Sequence, residues 1–151
     1  MVRIVPLAER HRADWERLFA GYAAFYKRGQ TPEMRAKVWG WIHDPAHEVE
    51  ALAAEAPEED GRAVGLAHFR AFARPSSATT GGFLDDLFVD PSFRGGRVAD
   101  ALIGRLAEIG RERGWSVVRW ITADDNYRAR GVYDRLAQRT MWVTYDVQLG
   151  G

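Results

Sequence analysis

The run FLDDLFVDPSFRGGRVADALIGRLAEIGRERG constrains this chain more than any other stretch. Gly82 to Asp90 read as a strand stopped by Pro91, and two glycines follow at Gly95 and Gly96. From Val98 to Arg113 the residues Val98, Ala101, Leu102, Leu106 and Ile109 then fall along one helical stripe, which Gly114 ends. A strand that turns through glycines into a helix predicts an anion site. The first amides of the helix lack intrahelical partners and sit at the positive end of its dipole, while glycine lets phosphate oxygens approach the backbone. The alternative is a plain tight turn with Arg94 and Arg97 solvated. The loop has neither the three glycines of a dinucleotide fingerprint nor the Gly-Lys of a Walker loop.

Around this junction the remaining elements follow from periodicity and turn residues. MVRIVPL is a short strand. A helix from Ala8 to Arg28 presents Trp15, Leu18, Phe19, Tyr22, Phe25 and Tyr26 on one face. Thr31 opens a second helix with Pro32 at its first position, carrying Met34, Val38, Trp41 and Ile42 inward as far as Asp44 and Pro45. Glu48 to Ala56 and Arg62 to Ala73 form a hairpin about the acidic turn Pro57 to Gly61, and Arg74 to Gly82 is a polar loop. Trp115 to Thr122 is a strand, Asn126 to Ala137 a helix and Thr140 to Leu149 a last strand. The order is β-α-α-β-β-β-α-β-α-β, an α/β fold of the α+β kind.

Composition narrows the function. With 151 residues, 46% of them apolar and 28% charged, the chain is expected to form a single globular domain over 1–151. Lys+Arg and Asp+Glu both number 21, so no net field recruits nucleic acid or a membrane surface. The absence of cysteine removes disulfides and thiolate chemistry, and His11, His43 and His47 lack metal-ligand spacing, so no metal is expected. With no apolar leader and no membrane-length apolar run, a cytoplasmic location is expected.

The glycine loop resembles the diphosphate loop of the GNAT family of N-acetyltransferases, whose pattern is Arg or Gln, two free positions, Gly, one free position, then Gly or Ala. Arg94 and Ala99 fit, with Val98 between, and Gly95 matches a glycine often seen there. Arg97 stands where the family carries its most characteristic glycine. The likeness extends from Val2 to about Val147. Ala63 to Phe69 are similar to the family's third strand, Leu84 to Pro91 to its fourth, Arg119 to Asn126 to its fifth strand and turn, and Asn126 to Leu136 to its fourth helix. The family's usual Gly-Phe after that helix is Ala137-Gln138 here. The resemblance implies a mixed, mostly antiparallel sheet of six to seven strands flanked by four helices. It also implies acetyl-CoA as cosubstrate and a small-molecule amine as acceptor.

Residue roles follow from the same resemblance. The backbone of Leu87, Phe88 and Val89 would pair with the pantetheine arm, and one of its amides would face the thioester oxygen. The diphosphate would rest on the amides of Arg94, Gly95, Gly96, Arg97, Val98 and Ala99, and Asn126, Ala129 and Tyr133 would line the coenzyme. Asn126 and Tyr133 are two turns apart, about 10 Å along one helix. A tyrosine of pKa about 10 can protonate a departing thiolate whose thiol pKa is about 8.5, which makes Tyr133 the candidate general acid. Its alternative is core packing with Ala129, Val132 and Leu136.

Asp85 and Asp86 face opposite sides of their strand. Family members acting on diamines and polyamines carry a similar acidic pair, which implies that Asp85 binds the substrate ammonium and helps remove its proton. The alternative is an ordinary salt bridge. Trp120 and Tyr22 are candidate walls of the acceptor pocket, and His68 is a candidate base or a packed strand histidine. Arg97 and Ala137-Gln138 keep a second class open, a catalytically inert module that binds coenzyme A or an amine. A homodimer is likewise left open.

Overall fold

The computed structural model describes residues 1–95 and 97–150. In chain order the elements are β1 (Arg3–Pro6), α1 (Arg12–Phe25), α2 (Pro32–Ile42), β2 (Glu50–Ala56), β3 (Arg62–Arg74), β4 (Thr79–Val89), α3 (Val98–Arg113), β5 (Val118–Arg119) and α4 (Tyr127–Leu136). They group into two compact units, Met1–Ile121 and the segment from Thr122 onward, which contains α4. Among the described residues no helix is long and apolar enough to cross a membrane.

The first unit is one five-stranded mixed sheet in the order β1-β2-β3-β4-β5. β1 to β4 pair antiparallel, and β5 joins β4 parallel. α1 buries Trp15, Leu18, Phe19 and Ala23. Trp15, Leu18 and Phe19 pack with Trp39 of α2 and with Ala51, Ala53, Ala63 and Leu66 of the sheet. α3 buries Val98, Leu102, Ile103, Leu106 and Ile109. It meets β3 at Gly65, where a Cβ would lie 2.9 Å from Val98 Cγ1, so the missing side chain is what lets the helix start sit down on the strand.

The expectation of six to seven strands is corrected to five. Thr140 to Leu149 form no strand: Met141, Trp142, Val143, Tyr145, Val147 and Leu149 are 74–91% exposed. Alternating apolar residues favour an extended chain, but a strand is made by a partner edge, and the described chain offers this segment none. The expected strand Trp115 to Thr122 narrows to Val118–Arg119 because its pairing is local. Ser116 N–H donates to Thr80 O and Gly82 N–H to Val117 O, both at 2.9 Å.

Arg74 to Gly82 is also no loop. β4 begins at Thr79, and only Pro75–Ser77 and Ala78 turn the chain, the latter at φ 56°. Gly82 is there for close approach: a Cβ would stand 2.2 Å from Cζ3 of Trp115. In α2 Val38 and Ile42 pack against the core as expected and Trp39 is buried with them, while Met34 and Trp41 are 50% and 37% exposed.

Candidate active site

The site is built on β4 and its neighbour β3. Their register pairs His68 with Asp86 and Phe69 with Leu84, so Asp85 is an extra residue with no backbone register partner on β3. Such a bulge re-aims side chains. Directly opposite residues share a face, and His68 Nδ1 lies 2.9 Å from Asp86 Oδ2. Asp85 turns instead to Arg70, whose Nε donates at 3.1 and 3.3 Å to its two oxygens.

Behind the pair stands Trp15. Its Nε1–H donates to His68 Nε2 at 2.9 Å in a buried setting. An indole is only a donor, so Nε2 accepts, and the ring proton belongs on Nδ1, where it is donated to Asp86. Phe19 meets the same imidazole edge to face at 4.7 Å between centroids.

The two carboxyls are pushed apart electrostatically. Burial raises Asp85, and Arg70 offsets only part of that. For Asp86 burial also pushes upward, but the hydrogen bond and electrostatic pull of His68, then the phenol of Tyr22 and the positive charge of Arg28, outweigh it and leave the carboxyl below its ordinary value. Burial, and then the Asp86 anion, push the Tyr22 phenol far above its ordinary range, which keeps it a donor. Tyr22 also meets Phe88 edge to face at 6.0 Å.

Downstream, Leu87, Phe88 and Val89 are half-buried. β5 pairs with β4 only at Gly82 and Phe83, so among the described residues no strand covers that edge from Leu84 to Val89. Asp90 closes the strand: its Oδ1 accepts Ser92 N–H at 3.0 Å and Ser92 Oγ–H at 2.7 Å, and its Oδ2 accepts from Arg17 at 3.0 Å. Gly95 has φ 86° and Arg97 φ 62°, so Arg97 adopts the left-handed backbone that the family's glycine would take without strain. α3 then starts with no side-chain cap, Val98 buried and Ala99 in its first turn. The Arg97 guanidinium reaches Asp100 at 3.4 Å and is largely exposed. Gly96, expected in the diphosphate loop, lies outside the described residues.

Within the second unit Asn126 caps α4, its Oδ1 accepting Ala129 N–H at 3.4 Å. Tyr133 is half-buried on the same helix. Trp120 is half-buried just past β5, in the first unit. The structure therefore groups Asp85, Tyr22, Leu87, Phe88 and Val89 with the loop start in one unit, and Asn126, Ala129 and Tyr133 in the other. Sequence reasoning took Trp15 as part of the apolar face of its helix and so missed the Trp15–His68–Asp86 chain. The signal is the pairing of a strand histidine with an acid pair one hairpin away. Among the described residues no group of three or more His, Asp or Glu is placed to hold a metal ion.

The sequence profile described as Acetyltransferase (GNAT) family matches residues 14–137. A D-amino-acid N-acetyltransferase of Saccharomyces cerevisiae, HPA3, is 29% identical over 132 residues, which is 87% of this chain and 81% of the yeast protein. The crystal structure of a ribosomal-protein-alanine N-acetyltransferase from Brucella melitensis biovar Abortus 2308 superposes with a TM-score of 0.80 at 26% identity, covering 99% of each chain. An aminoglycoside N-acetyltransferase, AAC(6')-Iy, solved in complex with CoA, shares the fold at a TM-score of 0.83 and 22% identity, over 99% of this chain and 95% of that one.

Proposed function

Since this chain belongs to the GNAT acetyltransferase family and is a GNAT-type N-acetyltransferase, we propose that it moves the acetyl group of acetyl-CoA to the primary amine of a small molecule, by direct transfer within a ternary complex in the cytoplasm. The observation that carries this reading is one strand with two properties. From Leu84 to Val89, β4 has an edge that β5 leaves uncovered, and the same stretch holds the acid pair Asp85 and Asp86.

In this reading the pantetheine arm takes the backbone of Leu87, Phe88 and Val89 as another strand would. The diphosphate lies on the amides of Arg94 to Ala99, with the Arg97 guanidinium turned to the phosphates. From α4, Asn126 and Ala129 contact the arm, and Tyr133 supplies a proton to the leaving sulfur. The acid pair meets the acceptor ammonium, and the aromatic rings of Tyr22 and Trp120 wall its pocket. As the nitrogen–carbon bond forms and the carbon–sulfur bond breaks, the ammonium sheds two protons, one before attack and one after. Sulfur takes one proton from Tyr133, which is restored from solvent, so one proton is released overall.

The acceptor is a small cationic amine of the diamine or polyamine kind. A second reading, a D-amino acid, is favoured by the yeast relative. Thiol release from acetyl-CoA with a panel of diamines and D-amino acids decides between them. Tyr133→Phe should lower kcat by at least about tenfold with coenzyme affinity nearly intact, and an unchanged rate would remove Tyr133 from the chemistry. Coenzyme binding without thiol release for any amine would support the inert binding module instead. A second copy of this chain as partner is supported by the exposed apolar run from Met141 to Leu149.

A further inference from the structure

Asp85 and Asp86 differ in what already occupies them. The Asp85 anion is matched by a full positive charge, the Arg70 guanidinium at 3.1 and 3.3 Å. Asp86 has His68 at 2.9 Å, and whether that anion is matched too depends on where the imidazole carries its proton. Trp15 decides this. A proton on Nε2 would set two donors head to head at 2.9 Å, between residues only 1% and 2% exposed. The ring therefore holds its single proton on Nδ1 and gives it to Asp86. By this hydrogen-bond geometry Asp86 is braced by neutral donors, the His68 Nδ1–H and the Tyr22 phenol, and no guanidinium or ammonium is bonded to it among the described contacts. A carboxylate that is largely removed from water and has no bonded cation gains most from receiving one. Its side chain keeps 24% of its surface open, next to Tyr22, which is itself packed on Phe88. Aromatic faces favour an ammonium.

Resting on the amine-acetylation reading above, we infer that Asp86 is the carboxylate that seats the cationic acceptor, and that His68 is a positioning residue held in its Nδ1–H form by Trp15. His68 takes no proton from the substrate, because its Nε2 lone pair is committed to Trp15 and its Nδ1 proton to Asp86. The acceptor class follows: amines that are cationic when they bind, with uncharged analogues of the same shape excluded.

The test compares acetylation of 1,4-diaminobutane and D-alanine by wild type, Asp86→Asn, Asp85→Asn and Trp15→Phe, with thermal unfolding and coenzyme A binding as checks of the fold. Asp86→Asn should raise the amine KM by at least about tenfold while the acetyl-CoA KM stays within about twofold, and Asp85→Asn should raise the amine KM less. Trp15→Phe should raise the amine KM without a matching fall in kcat, a split that lost packing alone does not produce. An unchanged amine KM in Asp86→Asn, or a larger rise in Asp85→Asn, overturns the assignment. If the wild type acetylates neither amine, the acceptor reading fails while this inference is still decided by NMR. The His68 ring should show a protonated Nδ1 and a bare Nε2, and 1,4-diaminobutane should shift the Asp86 carboxyl signal. A protonated Nε2, or no shift with the diamine, overturns it.

Discussion

Arg97 shows how one residue can carry a structural cost for a functional reason. It sits at φ 62° immediately before α3, a conformation in which an L side chain crowds its own backbone. Arg97→Gly should therefore raise the unfolding free energy by about 1 kcal/mol, measured by urea denaturation. The contact with Asp100 is exposed and offsets little of that gain. If the guanidinium serves the diphosphate, the same variant weakens coenzyme A binding by about tenfold at low salt, and the difference shrinks as salt rises.

Glu55 carries the opposite economy. It is buried on β2, where His11 Nε2–H, Arg3 and Arg10 all donate to it. His11 holds that proton on Nε2 because its Nδ1 accepts Ala8 N–H at 2.9 Å. The hydrogen bond from His11, then that from Arg3, outweigh burial and bring the carboxyl from 4.5 to about 2. A depressed folded-state value stabilises the fold above the unfolded pKa, and that stability is lost as pH falls through the folded one. Stability should thus decline between pH 4.5 and about 2, by on the order of 3 kcal/mol. Glu55→Gln should flatten this limb in an acid titration of unfolding, and an unchanged limb would reassign it.

At the scale of elements, the β3–β4 hairpin sets the site. Its bulge at Asp85 separates two adjacent acids into different partnerships, one with Arg70 and one with His68. Strand alternation predicts the two acids on opposite faces, and the bulge interrupts that alternation at Asp85. It could not say which histidine or arginine stands across the ladder, because register is fixed by the facing strand and the turn. The start of β4 was itself misread as part of a polar loop: a Cβ on Gly82 would meet Trp115 and one on Gly81 would meet Phe72 of the partner strand, so these glycines serve close contact. Gly82→Ala should cost roughly 1–3 kcal/mol, with Trp115 fluorescence reporting the displaced ring. An unchanged midpoint would mean that the ring moves aside freely.

At the scale of the whole molecule, Met141 to Leu149 stand out. Trp142, Tyr145 and Leu149 are 87%, 90% and 91% exposed, far beyond the scattered apolar residues of an ordinary surface. Sedimentation of the full chain should give a dimer, and truncation after Arg139 should give a monomer. A monomeric full chain would leave this run without the partner proposed for it.

By itself the sequence determined the helices, the order of elements through α4, the glycine-rich entry to α3 and the family, because these depend on local periodicity, capping and short motifs. Tertiary structure alone decided which segments find a strand partner, that Asp86 rather than Asp85 lies against His68, and that Trp15 fixes the proton on that ring. Pairing, register and protonation are properties of neighbours brought together from 18 and 53 residues away, and no local pattern in the chain encodes that distance.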